Sequence, residues 1–136
     1  MATRGKYVPG EWKLAVKRST AGLGLFAGES IPKGSCIIEY VGRVLSPEET
    51  ESSKSKYLFE ISKTKTIDGK PAINKAGYIN HSCSPNAETA ISKSRVFVMA
   101  LKNIKLGDEL TYDYGEEYCL EHCVPCRCAA KKHLYG

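Results

Sequence analysis

The 136-residue sequence lacks any apolar run of the roughly 18 residues that a membrane-crossing helix needs, so no membrane site is expected. The first six residues, Met1-Ala2-Thr3-Arg4-Gly5-Lys6, lack the apolar stretch of a secretory signal, which points to an intracellular protein. Charge of one sign is never massed. The net +5 comes from lysines set singly or in pairs, as at Lys17-Arg18, Lys54 with Lys56, and Lys131-Lys132. Without a basic stripe interleaved with aromatics, a direct nucleic-acid site is not expected. Internal repeats and low-complexity linkers are missing too, and the length suits one core rather than two. Cysteine is the exception to this scarcity. Six cysteines in a chain with no export signal point to metal binding or free thiols rather than disulfides.

Three dense segments stand out against this plain background. Residues 78–86 read Tyr-Ile-Asn-His-Ser-Cys-Ser-Pro-Asn, where Ile79 alone is aliphatic and each polar group needs a partner if buried. Such a segment reads as a site on irregular backbone rather than as a core strand. Residues 107–115 form the second segment, Gly-Asp-Glu-Leu-Thr-Tyr-Asp-Tyr-Gly. The third is the run of thiols Cys119, Cys123, Cys126 and Cys128. Cys36, among Ile37, Ile38 and Val41, reads as a core thiol.

Local signals predict a mainly β (α+β) domain. Residues 13–17, 23–26, 36–41, 57–61, 88–91, 96–101 and 110–112 are rich in β-branched and aromatic residues and bounded by turn formers. One helix start is clear: Ser46 can cap, Pro47 suits the first helical position, and Glu49 completes a capping box. That helix is expected to run to about residue 54, with a further turn over 115–120.

Four motifs in order resemble those of the SET-domain family of protein-lysine methyltransferases. They are Gly22-Leu23-Gly24, Glu39-Tyr40-Val41-Gly42 after a Pro32-Lys33-Gly34 turn, the Asn80-His81-Ser82-Cys83-Ser84-Pro85-Asn86 run, and Glu109-Leu110-Thr111-Tyr112-Asp113-Tyr114. The resemblance covers roughly residues 14–133 and is of the compact form, with no cysteine-rich segment ahead of the motifs. It departs from the usual pattern at Ile73-Asn74 and Gly77-Tyr78, where the family commonly has glycine-asparagine and arginine-aromatic pairs.

The resemblance implies small curved sheets around a C-terminal pseudoknot that sets the third and fourth motifs side by side. It divides the chain into an extension (1–13), a SET domain (14–118) and a post-SET-like tail (119–136). It also implies S-adenosylmethionine as methyl donor, met by Gly22, Leu23, Gly24, Tyr57, Asn80, His81, Tyr114, Cys128 and Leu134. Tyr114 takes the catalytic position, and Tyr112 and Tyr57 line a lysine channel. A tyrosine at 112 implies mainly monomethylation. Zinc is expected on Cys83, Cys126, Cys128 and His133, with Cys119, Cys123, Cys126 and Cys128 as the competing set and His122 to spare. The implied partner is a protein or peptide lysine, a histone tail by preference, which would put the protein in the nucleus or on the chromosome. The alternative reading is an inactive, cofactor-bound SET domain that binds peptides or chromatin.

Overall fold

The computed structural model describes residues 7–20 and 22–115. Strands β1 (Leu14–Ser19) and β2 (Gly22–Ala27) form an antiparallel pair in full register, Leu14 opposite Ala27 and Ser19 opposite Gly22. A second sheet has β9 (Arg95–Ala100) between β3 (Cys36–Tyr40) and β8 (Ala87–Ser92). A third has β6 (Lys65–Asp68) between β4 (Arg43–Leu45) and β5 (Leu58–Ser62). The last pair, β7 (Asn80–His81) with β10 (Thr111–Tyr112), is parallel and two residues long. The mainly β expectation holds.

Burial explains which strands were legible. Residues 96–100 of the central β9 are all buried, giving the continuous apolar run of a strand covered on both faces. By contrast β4 and β6, which the sequence did not suggest, have three and four residues and carry Arg43, Lys65 and Asp68. They are strands because Arg43, Val44 and Leu45 pair with Asp68, Ile67 and Thr66, a tertiary choice. The β8–β9 turn is Lys93-Ser94, both at positive φ (51° and 61°), the geometry of a two-residue hairpin turn without its usual Asn-Gly signature.

Helix α1 (Pro47–Ser52) starts as expected: Ser46 accepts from the Glu49 N–H, and Glu49 reaches back to the Ser46 N–H. That backbone bond, with Arg43 nearby, holds the Glu49 carboxyl below its ordinary range. The helix ends at Ser52 with Ser53 as its C-cap, close to the expected end, and none of its residues is buried. A 3-10 turn at Lys75–Tyr78 leads into β7, so the stretch expected to be irregular contains a short strand followed by bends.

The main core joins Leu25, Ile31, Ile37, Tyr40, Ile67, Ile79, Val96, Val98, Ile104, Leu110 and Tyr112 from all four sheets and their links. Cys36 sits in a smaller cluster with Phe97 and Met99, as a core thiol should. Burial first, then Glu39, pushes its pKa up.

Candidate functional site

The site forms where residues 79–86 and 107–114 meet β2. Leu110 is fully buried and its N–H reaches Leu25 O at 2.8 Å, while Ala27 N–H reaches Asp108 O at 2.8 Å. Phe26 bridges Glu109 in the same ladder. On the other side Thr111 pairs with Asn80 and Tyr112 with His81. Asn86 completes the join with its side chain: Nδ2 donates to Glu109 O at 2.8 Å, and Oδ1 accepts Thr111 N–H at 3.0 Å. An amide here stands in for a missing strand rung. The third and fourth motifs therefore lie side by side, as the resemblance implied.

At one end the side chains form a polar cluster. Asn80 Nδ2 donates to Leu23 O at 3.0 Å and to Glu109 Oε2 at 2.9 Å. Ser19 Oγ lies 2.7 Å from Glu109 Oε1 and 2.9 Å from Oε2. Both Asn80 amide protons are thus engaged, which leaves Oδ1 as the acceptor available to a ligand. The two glycines differ in what they provide. Gly22 takes φ +102° and a Cβ there would meet nothing within 4 Å. A Cβ on Gly24 would strike the Glu109 carboxylate and sit 3.1 Å from Asn80 Nδ2. Glycine at 24 therefore makes room for the chain's own carboxylate.

At the other end sit the tyrosines. The Tyr114 N–H donates to His81 Nδ1 at 3.1 Å, and its hydroxyl donates to Ile79 O. The ring centroids of Tyr112 and Tyr114 are 5.0 Å apart, and those of His81 and Tyr114 5.5 Å. Tyr57 stands on the neighbouring sheet, ahead of β5. Its carbonyl accepts from Tyr40 Oη at 2.7 Å and from Gly69 N–H at 2.9 Å. Lys56 places its ammonium 5.6 Å from the Tyr57 ring centre.

His81 links the two ends. Asp113 Oδ1 is 3.7 Å from His81 Nδ1, but Nδ1 already accepts the Tyr114 N–H and so carries no proton. With Nδ1 taken as an acceptor, the ring carries its proton on Nε2. That proton points to Cys83 Sγ, 3.3 Å away. Cys83 is buried, a suitable setting for a structural metal ligand. Among the described residues no three His, Cys, Asp or Glu side chains gather around a metal position. Cys119, His122, Cys123, Cys126, Cys128, His133 and Leu134 lie outside the described residues, as does the turn expected over 115–120 beyond Gly115.

Sequence reading singled out Asn80, His81, Cys83, Tyr112 and Tyr114, which the fold gathers. It assigned no role to Ser19, Asn74, Asn86 or Glu109. Each has at least one partner between 23 and 90 positions away, such as Ser19 with Glu109, which no local pattern reveals.

A family model for the SET domain matches residues 22–115. Histone-lysine N-methyltransferase trr of Drosophila melanogaster is 36% identical over 136 residues, covering 88% of this chain and 6% of the fly protein. Histone-lysine N-methyltransferase 2D of Homo sapiens is 32% identical, covering 88% of this chain and 2% of its own. Histone-lysine N-methyltransferase ASHH3 of Arabidopsis thaliana is 34% identical, with 85% and 37% covered. This chain therefore spans a small part of the fly and human proteins it matches. A solved structure described as "ctPRC2 in an autoinhibited conformation bound to S-adenosylmethionine" aligns with a TM-score of 0.69 and 32% identity, covering 78% of this chain and 15% of that one.

Proposed function

This chain belongs to the SET-domain family, and from that premise we propose that it transfers a methyl group from S-adenosylmethionine to the side-chain amine of a lysine in a protein substrate. The carrying observation is the β7–β10 ladder, which pairs Asn80 with Thr111 and His81 with Tyr112 and so brings Tyr114, two residues further on, to His81. S-adenosylmethionine supplies a methyl group on a positively charged sulfur. Gly22, Leu23, Gly24, Asn80 and His81 would hold it, with Cys128 and Leu134 from the tail; the open space at Gly22 and the acceptor left on Asn80 suit the ammonium of its amino-acid end.

The lysine amine must be neutral to attack, and its reference pKa of about 10.4 leaves little neutral form at pH 7. A channel walled by Tyr57, Tyr112 and Tyr114 packs the aliphatic stem and, by desolvation, favours the neutral amine. No carboxylate base is needed. Tyr114 spends its hydroxyl proton on Ile79 O, so its oxygen lone pairs are the part left to align the amine and the polarised methyl. Histone tails are the substrate class suggested by the relatives' names, another basic protein being the rival, and a histone substrate places the protein on chromatin.

Tyr112 is buried against Tyr114, and a tyrosine at this position makes the product mainly monomethyllysine, with some dimethyllysine. Tyr112→Phe frees space there, so mass spectrometry of the product should show di- and trimethyllysine; an unchanged ratio overturns this role. On this reading residues 14–118 are the catalytic unit, 1–13 an extension and 119–136 a post-SET-like tail. Zinc held by Cys83, Cys126, Cys128 and His133 would fix that tail, and elemental analysis should find about one zinc per chain, lost in Cys83→Ser. The reaction is tested with labelled methyl donor, core histones and cell lysate, Tyr114→Phe serving as control. Donor binding without labelling of any lysine would instead favour an inactive peptide-binding domain.

A further inference from the structure

We propose that Glu109 is a positioning residue for methyl-donor binding, acting through Asn80; this rests on the functional reading above. A primary amide has two orientations of nearly identical shape, and only hydrogen bonding chooses between them. Here the choice is forced. Asn80 Nδ2 faces two acceptors, Leu23 O at 3.0 Å and Glu109 Oε2 at 2.9 Å. The flipped amide would set its oxygen against a carbonyl and a carboxylate. The oxygen must therefore face the ligand side, where it can accept from an ammonium but cannot serve an acceptor.

The carboxylate is itself held from several sides. Ser19 Oγ lies within 2.9 Å of both carboxylate oxygens. The Glu109 carbonyl accepts from Asn86 Nδ2 at 2.8 Å, and its backbone bridges Phe26. The space it fills is the one that a side chain at Gly24 would occupy. Three separated segments thus cooperate to point one amide oxygen. The half-buried negative charge also favours a cationic group beside Asn80.

The purified protein is titrated by calorimetry with S-adenosylhomocysteine, which has the amino-acid end, and with 5′-methylthioadenosine, which lacks it. Glu109→Ala should weaken S-adenosylhomocysteine about tenfold or more and leave methylthioadenosine within about twofold. Glu109→Gln, whose carbonyl can still accept the Asn80 proton that Leu23 does not take, should recover most of the loss. In an Asn80→Ala background, Glu109→Ala should add nothing further. Equal weakening of both ligands, or an undiminished effect without Asn80, overturns the proposal. Should Glu109→Ala fail to fold, Ser19→Ala decides: a loss confined to S-adenosylhomocysteine supports it, and unchanged affinity for both refutes it. A wild type that binds neither ligand would overturn the functional reading itself.

Discussion

Tyr114→Phe should lower the rate of methyl transfer by about a hundredfold or more while changing S-adenosylhomocysteine affinity by less than about threefold. The asymmetry follows from what the hydroxyl touches. It donates to Ile79 O, within the segment that carries Asn80 and His81, so it is an oriented oxygen and not a donor free to rotate. Removing it takes away an acceptor at the reacting atoms. Ring position survives, because the Tyr114 N–H bond to His81 and the ring contacts to Tyr112 and His81 do not involve the hydroxyl. Single-turnover rates on core histones, with calorimetric donor affinities beside them, separate the two quantities. A variant that loses both in proportion would mark Tyr114 as structural, and one that keeps its rate would remove it from the chemistry.

Asn74→Ala should destabilise the fold by about 3 kcal/mol, a large share of the roughly 5 to 15 kcal/mol of an ordinary domain, and lower Tm by roughly 10 °C. Asn74 is fully buried. Its Oδ1 accepts Val41 N–H at 3.1 Å, and its Nδ2 donates to Gly69 O at 2.9 Å. Alanine would leave the buried Gly69 carbonyl and the Val41 N–H without those partners and open a cavity beside the Tyr40 ring, which packs on Gly69. Function should follow stability, since Gly69 N–H and Tyr40 Oη together hold the carbonyl of Tyr57. Thermal unfolding by circular dichroism checks the prediction; a shift of less than about 2 °C would show that the loop closes without its amide. The sequence offers Asn74 only as half of an Ile-Asn pair where the family commonly has Gly-Asn.

The long apolar strands, the capping box of α1 and the chemical identity of the site were legible because each depends on residues adjacent in the chain. Ser46, Pro47 and Glu49 act within one helical turn, and 96–100 need only be apolar in succession to become a central strand. The run from Asn80 to Asn86 declared itself by having too many polar groups for a core. The short strands β4, β6 and β7 were not legible, since a strand of two to four residues has no period to read; β10 was expected within 110–112, but not its pairing with β7.

By itself, then, the sequence determined the chemistry and the class of fold: which amide, imidazole, thiol and phenols are available, and that they hang on a β-rich frame. The tertiary structure decided their orientation. Asn80 presents oxygen and not nitrogen because Glu109 and Leu23, 29 and 57 positions away, take its protons. His81 is protonated on Nε2 because Tyr114, 33 positions on, occupies Nδ1. Hydrogen bonds are directional and a rotatable side chain has no preferred partner until the fold supplies one, so direction enters only when distant segments meet.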